Sequence, residues 1–174
     1  MNTANKITML RIVLIPVFLA ALYIDFPGSH YVAMGIFIVA ALTDIVDGYI
    51  ARHHNQVTNF GKFMDPLADK ILAFSAMLWF TECGLIPAWV VLIVIVREFM
   101  VTALRLIASD NGRVIAAAIS GKIKTVVTMV CLAVMFLPLM QWMVYACIAA
   151  ITITTLVSGI EYFIKNKDIL NLKK

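Results

Sequence analysis

The sequence predicts an all-α membrane protein of six transmembrane helices, on the basis of its composition and the lengths of its apolar runs. Of its 174 residues, 63% are hydrophobic and 14% are charged, which is too apolar for an ordinary soluble domain. A first apolar run over 12–26 precedes five longer runs, and each of those could cross about 30 Å of hydrocarbon as a helix. The longer runs are 31–51, 66–82, 86–107, 114–138 and 141–164. We therefore expect one membrane domain over residues 1–174.

The polar N-terminus indicates an interfacial segment followed by a first, retained helix. Asn5, Thr8 and Arg11 follow one another at intervals of three residues, so one face of a short helix would carry all three. A cleaved signal peptide is the alternative, because Lys6 and Arg11 stand before an apolar stretch. Pro16 interrupts that stretch, and cleavage would leave an odd number of spans. We therefore expect the first helix to remain in the protein.

Four aspartates mark the connection between the second and third apolar runs: Asp44, Asp47, Asp65 and Asp69. The chain has only 10 acidic residues, and acidic side chains at membrane depth are costly unless they have a functional partner. If both flanks are helical, spacings of three and four residues place each pair on one helix face.

Small residues share these faces with the carboxylates. Gly48 and Ala51 fall on the side of the first pair, and Gly61 falls on the side of the second. A ligand could approach the backbone closely at such positions. We expect the third helix to begin near Gly61, with Pro66 in its first turn, where proline is tolerated. The prediction is two small-residue faces, each with two carboxylates, that meet across a loop.

Four neighbouring carboxylates repel one another and tend to protonate unless cations lie among them. A ligand set made only of oxygens suits a hard ion such as Mg²⁺ or Mn²⁺. Two such ions about 4 Å apart would clamp the attacking and leaving oxygens of a phosphoryl transfer. The alternative interpretation is a solvated acidic loop between two membrane helices.

The basic residues predict which side of the membrane carries the aspartates. Of the 14 lysines and arginines, all except Arg97 lie on the side of the two chain ends, which leaves 13 there. The connections near 25–31, 82–86 and 138–141 contain none. By the positive-inside rule, both termini and the aspartates face the cytoplasm of a multi-pass protein in the cell (inner) membrane. The net charge of +4 reflects this asymmetry and does not indicate nucleic-acid binding.

The run over 86–107 contains Arg97 and Glu98 deep in a predicted span. Glu98, Thr102 and Arg105 share a helix face, whereas Arg97 is turned about 100° from Glu98. Our functional interpretation is that Arg97 and Arg105 help to form a polar pocket for an anionic acceptor. An internal ion pair that holds helices together is the alternative.

The next run, 114–138, contains two lysines that are two residues apart. On a helix, Lys122 and Lys124 therefore point to nearly opposite sides, and at most one of them faces the pocket squarely. We expect the other to reach lipid head groups. In the last run, Glu161 and Lys165 have the four-residue spacing of a helical ion pair.

The acidic stretch resembles the signature of the CDP-alcohol phosphotransferases at all eight of its positions: Asp44-x2-Asp47-Gly48-x2-Ala51-Arg52-x8-Gly61-x3-Asp65-x3-Asp69. Three further segments look like the phosphatidylglycerophosphate synthase branch of that family. They are R-E-F-x-V-T-x-L-R from Arg97, G-K-x-K-T from Gly121, and S-G-I-E-Y-F from Ser158. This second likeness is less specific, but it extends over most of the chain.

The resemblance implies transfer of the phosphatidyl group of CDP-diacylglycerol to an alcohol, with CMP as the leaving group. It implies that Asp44, Asp47 and Asp65 are metal ligands, and that Asp69 completes the second of two Mg²⁺ or Mn²⁺ sites. Asp69 is also the expected general base, which deprotonates the acceptor hydroxyl. The expected contacts of CDP-diacylglycerol are Thr8, Asp47, Gly48, Ala51, Arg52, Thr58 and Gly61. Homodimers occur in the family.

The expected acceptor is sn-glycerol 3-phosphate, because four basic residues suit a phosphate: Arg97, Arg105, Lys122 and Lys124. An inositol phosphate is the nearest rival, whereas serine would not need so many cations. A hypothesis from another class is a divalent-cation transporter, since acidic residues in spans also mark ion paths. The aspartates cluster at one boundary and Arg97 occupies the depth, which disfavours a cation path.

Overall fold

The computed structural model describes residues 3–24, 26–53, 59–110, 112, 115 and 118–170. Within its helices, the side chains of 3–8, 44–53, 59–66, 69 and 169–170 are not described. Over the described residues the protein is all-α, with six long helices and one short one. These are α1 (Thr3–Tyr23), α2 (Ser29–His53), α3 (Asn59–Glu82), α4 (Ala88–Asp110), α5 (Ile119–Met135), α6 (Gln141–Lys165) and α7 (Lys167–Leu170).

Each predicted apolar run corresponds to one long helix, which confirms the all-α class, but two boundaries differ from the prediction. The third helix begins at Asn59, close to the expected start near Gly61, but Pro66 then lies in the interior of α3 and not in its first turn as predicted. The fifth helix has only 17 residues and ends at Met135, well inside the predicted 114–138. Leu137 precedes Pro138 and is therefore disfavoured in helical conformation, which explains why the helix stops early.

The N-terminal segment is not a separate interfacial element. From Thr3 onwards it is the first part of α1, which continues without a break to Tyr23. Pro16 lies inside this helix and removes one backbone hydrogen bond without ending it. The side chain of Arg11, on the same helix, is completely buried.

One compact unit contains α1, α2, α3 as far as Trp79, and residues 132–138. In this unit α1 packs along α2. Phe18 is fully buried, with its ring centroid 5.8 Å from that of Phe37 and 6.0 Å from that of Phe136. Trp79 stacks on Phe136 at 5.9 Å. Aromatic packing therefore forms the centre of this unit.

The other unit contains α4, α5 as far as Cys131, α6 and α7, and α4 packs against both α6 and α7. Val101, Leu104 and Tyr162 form a buried apolar cluster between α4 and α6. The buried hydroxyls of Thr155 and Ser158 donate to carbonyl oxygens of their own helix, at 2.6 and 3.1 Å. Because these small side chains are satisfied locally, they allow a neighbouring helix to approach α6 closely.

The surface of the described helices is unusually apolar. Phe99, Leu106, Ile119, Trp142 and Ile164 are among many large apolar side chains that are mostly exposed. Such a surface is rare on soluble monomers and is typical of contact with lipid. In the part of the chain that the structure describes, one helix, Gln141–Lys165, is long and apolar enough to cross a membrane. Two shorter apolar stretches are Met9–Tyr23 and Ser29–Thr43.

Candidate active site

The helical backbone carries the four aspartates as two pairs. Asp44 and Asp47 lie in the second half of α2, and Asp65 and Asp69 lie in the first half of α3. Because both segments are helical, spacings of three and four residues place the members of each pair on the same side of their helix. The four carboxylate groups themselves fall outside the described residues. Whether the two pairs meet therefore stays a prediction.

The predicted nucleotide contacts share these segments. Gly48, Ala51 and Arg52 lie on α2, Gly61 lies on α3 and Thr8 lies on α1. Their side-chain surroundings are outside the described part of the chain, as is the whole of Thr58.

The chemistry of the aspartate donor set fits a hard divalent cation, because it consists only of carboxylate oxygens. The described side chains include no group of three or more His, Cys, Asp or Glu residues that could hold a metal ion, and the four aspartates were not among them. The predicted metal ligands therefore stay a prediction that rests on donor chemistry and backbone position.

A second group of charged residues is described in full. Arg97 and Glu98 on α4 and Lys124 on α5 form what we call the Glu98 cluster. Arg97 Nη1 donates to Glu98 Oε1 at 2.7 Å, and Lys124 Nζ donates to the same oxygen at 2.9 Å. The exposed fractions of the three side chains are 12%, 13% and 7%, in the order Arg97, Glu98, Lys124. One carboxylate oxygen thus joins two buried cations from two helices.

The ion pair expected as the alternative interpretation of Glu98 is present. It links α4 to α5 through Lys124. Arg97 also takes part, although neighbouring helix positions are turned by about 100°, because its long side chain reaches around to the carboxylate. The Glu98 cluster contains two cations and one anion, so it carries a net charge of +1 in a largely buried place. Such a charge favours an anionic ligand.

Two glycines border Arg97. A Cβ atom added at Gly159 of α6 would lie 3.2 Å from Arg97 Cγ, and one added at Gly121 of α5 would lie 3.4 Å from Arg97 Nη2. The helices therefore approach the arginine at positions that have no side chain. The three segments that resemble the phosphatidylglycerophosphate synthase branch, beginning at Arg97, Gly121 and Ser158, all contribute to the surroundings of this one residue.

The four basic residues predicted to bind the acceptor phosphate have different surroundings. Lys124 is buried and Lys122 is exposed, as the two-residue spacing on a helix requires. Arg105 is exposed, and its Nε donates to the hydroxyl of Tyr162 at 3.2 Å. Its guanidinium carbon also lies 5.7 Å from the centroid of the Tyr162 ring, a cation–π contact. The structure thus brings Arg97 and Lys124 together and gives Arg105 a different partner.

Four residues of this region have no functional role predicted from the sequence: Glu98, Gly121, Gly159 and Tyr162. The motifs that contain them were visible, and Gly159 and Tyr162 share a face of α6 because they are three residues apart. The contacts across α4, α5 and α6 involve residues far apart in the sequence, so periodicity within one helix could not reveal them. The predicted pair of Lys165 and Glu161, by contrast, is local and is confirmed.

Comparison with known proteins gives matches over nearly the whole chain. A family model described as CDP-alcohol phosphatidyltransferase matches residues 1–156. The chain is 41% identical to the CDP-diacylglycerol–glycerol-3-phosphate 3-phosphatidyltransferase of Bacillus subtilis strain 168, over 97% of each chain. It is 40% identical to a probable phosphatidylglycerophosphate synthase of Mycobacterium tuberculosis strain H37Rv, over 92% of this chain and 79% of the relative. It is also 39% identical to the CDP-diacylglycerol–glycerol-3-phosphate 3-phosphatidyltransferase of Escherichia coli K12, over 92% of each chain.

Proposed function

Because the chain belongs to the CDP-alcohol phosphatidyltransferase family, we propose that it transfers the phosphatidyl group of CDP-diacylglycerol to sn-glycerol 3-phosphate. The products are phosphatidylglycerophosphate and CMP. The observation that carries the proposal is 41% identity, over 97% of both chains, to a relative whose name specifies these two substrates. The buried net positive charge of the Glu98 cluster supports an acceptor that carries a phosphate.

The metal ligands in this proposal are Asp44, Asp47, Asp65 and Asp69. Their oxygen-only donor set and their paired spacing on helical backbone support Mg²⁺ or Mn²⁺ as the bound ions. When bound there, divalent ions would neutralise charge on the diphosphate and on the departing CMP. Thr8, Gly48, Ala51, Arg52, Thr58 and Gly61, together with Asp47, are assigned to the bound CDP-diacylglycerol.

The proposed reaction is a displacement at the phosphorus atom of the phosphatidyl group. The bond from this phosphorus to the acceptor oxygen forms as its bond to the CMP oxygen breaks, and CMP leaves with the bonding electrons. Asp69 accepts the proton of the acceptor hydroxyl. Because the phosphate groups are anionic throughout, the main task of the protein is to hold the two substrates together and to compensate their charge.

The acceptor phosphate is assigned to the basic residues Arg97, Arg105, Lys122 and Lys124. The observed differences in burial rank them. Arg97 and Lys124 are largely shielded from water, so their charges act with less screening than those of the exposed Arg105 and Lys122. We therefore expect Arg97 and Lys124 to contribute most to acceptor affinity.

We also propose that the chain is one domain over residues 1–174 in the cell membrane, with six spans, both termini in the cytoplasm and the aspartates on the cytoplasmic side. The large exposed apolar side chains of the described helices support contact with lipid. The placement of 13 of the 14 basic residues on one side, with only Arg97 excepted, supports the orientation. The homodimer implied by the family likeness stays a prediction.

Product identification tests the proposed function. Purified protein in mixed micelles receives labelled CDP-diacylglycerol, with Mg²⁺ or Mn²⁺ and one acceptor at a time: sn-glycerol 3-phosphate, an inositol phosphate or serine. We expect phosphatidylglycerophosphate and an equal amount of CMP from the first acceptor alone. Product formation only from an inositol phosphate would replace the acceptor and keep the family chemistry. Metal flux into liposomes without release of CMP would favour a transporter instead.

A further inference from the structure

Glu98 occupies a central place in the charged cluster of α4 and α5. Arg97 and Lys124 both donate to its Oε1 atom, at 2.7 and 2.9 Å. Arginine and lysine side chains have several rotatable bonds, and each loses rotamer freedom when it is fixed. A shared carboxylate oxygen restricts both side chains at once and also restricts their distance from each other.

Two glycines restrict the Arg97 side chain further. Gly121 and Gly159 belong to two different helices, and both lie close to the Arg97 side chain. Arg97 Nε is buried and has no hydrogen-bond partner among the described residues. Gly159 therefore borders Arg97 at Cγ, Gly121 borders it at Nη2, and Glu98 holds it at Nη1.

The positive and negative charges of the Glu98 cluster do not balance. Within the described part of the chain, the Glu98 carboxylate neutralises one of the two cations of the cluster, which leaves a net charge of +1 on side chains that are 7–13% exposed. A net positive charge that is largely shielded from water favours a bound anion. Lys124 has three N–H donors, of which the structure assigns one to Glu98.

We propose that Glu98 is a positioning residue for the phosphate of the acceptor. It holds Arg97 and Lys124 with their remaining donors arranged for one phosphomonoester group, and the two glycines keep the space that this arrangement needs. This inference rests on the proposed function, because it concerns the same acceptor. It adds that Glu98 improves binding of the acceptor phosphate, although both groups are negatively charged.

Two other accounts of Glu98 make different predictions. If the Glu98 carboxylate competes with the acceptor phosphate for the two cations, a substitution that withdraws this carboxylate should improve acceptor binding. If the Glu98 carboxylate only stabilises the helices, the same substitution should lower thermal stability and leave the Michaelis constants of both substrates unchanged. Positioning predicts a third result, a selective rise of KM for the phosphorylated acceptor.

The first test is Glu98→Asp, which keeps the negative charge but shortens the side chain by one methylene, so that one oxygen cannot reach both cations. Wild-type turnover with sn-glycerol 3-phosphate is measured first. For the variant we expect KM for sn-glycerol 3-phosphate to rise about tenfold, whereas KM for CDP-diacylglycerol changes less than about twofold. An unchanged or lowered acceptor KM overturns the proposal.

The second test leaves all three charged residues in place. In Gly159→Ala, the new methyl group meets Arg97 Cγ at 3.2 Å, so the arginine must shift by a few tenths of an ångström. We expect a smaller rise in acceptor KM, about threefold, in the same direction as for Glu98→Asp. Gly35→Ala is the matched control, because nothing lies within 4 Å of a Cβ atom at that helical position. Equal KM values for the two glycine variants would count against the proposal.

The third test asks whether Glu98 acts through Lys124. In a double-mutant cycle, Glu98→Asp is combined with Lys124→Ala, and the acceptor KM is measured for all four proteins. We expect the second substitution to add little to the first, because the positioned donor is already absent. Fully multiplicative effects would show that the two residues act independently and would overturn the inference. If the wild-type protein forms no product from sn-glycerol 3-phosphate, the proposed function itself is wrong.

Discussion

At the scale of single residues, the structure distinguishes the four predicted acceptor-binding side chains by their burial and by their hydrogen-bond partners. Arg97 and Lys124 meet at one carboxylate oxygen of Glu98, whereas Arg105 contacts Tyr162. The difference matters because buried charges interact through a medium that screens them weakly, and exposed charges interact through water and salt. Residue-level predictions therefore separate the proposed chemical step from the proposed binding of the acceptor.

Asp69→Asn tests the proposed general base. Asparagine keeps the shape of aspartate but cannot accept the proton of the acceptor hydroxyl, so we expect kcat to fall at least about a hundredfold. Binding of CDP-diacylglycerol, measured by equilibrium titration, should be largely retained. Asp168→Asn is the control, because this aspartate is exposed on the short helix α7. Turnover of Asp69→Asn close to wild type would refute the role of Asp69.

Arg105→Ala tests whether this exposed arginine belongs to the acceptor site. We expect KM for sn-glycerol 3-phosphate to rise about threefold to tenfold, because a solvent-exposed charge contributes modestly. KM for CDP-diacylglycerol should change less. Lys167→Ala removes an exposed cation of α7 and serves as the control. Equal effects of Arg105→Ala on both substrates would remove Arg105 from the acceptor site.

At the scale of helices, aromatic and small residues decide how closely neighbours pack. Phe18 of α1 contacts Phe37 of α2 and Phe136 beyond the end of α5. One face of α6 carries the small residues Thr155, Ser158 and Gly159, and Gly159 borders Arg97. Because lipid is as apolar as a leucine side chain, close van der Waals packing of this kind contributes more to helix association in a membrane than burial of apolar surface does.

Phe18→Ala tests the aromatic centre of the first unit. The side chain is fully buried, and its loss leaves a cavity beside the rings of Phe37 and Phe136, so we expect unfolding in detergent to become easier by about 3 kcal/mol. Denaturant titration followed by circular dichroism measures this change. Phe99→Ala is the control, because Phe99 is 67% exposed and should change stability by less than about 0.5 kcal/mol. Equal destabilisation by both variants would contradict the assignment of Phe18 to the core.

At the scale of the whole molecule, the proposed orientation puts the connection after α3 on the outer face of the membrane. Cys83 lies in this connection and is exposed. Burial of part of the thiol and the nearby Glu82 carboxylate raise the pKa of Cys83 above its ordinary value. Thiolate is the reactive form, so labelling by a maleimide should be slow near neutral pH and should still accelerate above pH 9.0.

Labelling of intact cells with a membrane-impermeant maleimide tests the six-span orientation. We expect Cys83 to react from outside, and a cysteine introduced as Lys167→Cys in a Cys83→Ser background to react only after permeabilisation. Both positions are exposed, so the two proteins differ mainly in the side of the membrane that they report. Reaction of Lys167→Cys in intact cells would contradict the cytoplasmic placement of the C-terminal end.

The sequence by itself determined the all-α class, the approximate place of every long helix, and the family. Helical spans and the aspartate signature depend on composition and on spacing within a short stretch, and both can be read along one chain. The same local reasoning predicted the pair of Glu161 and Lys165, but it placed Pro66 in the first turn of α3, which begins seven residues earlier, at Asn59.

Only the tertiary structure decided which charged residues meet. Arg97, Lys124 and Gly159 come from three helices, and no periodicity within one helix relates them. Their meeting depends on the close approach that Gly121 and Gly159 permit and on the reach of Glu98 to Lys124. The physical reason is that a helix specifies its own faces through a repeat of about 3.6 residues, whereas the partner of each face is selected by packing between distant parts of the chain.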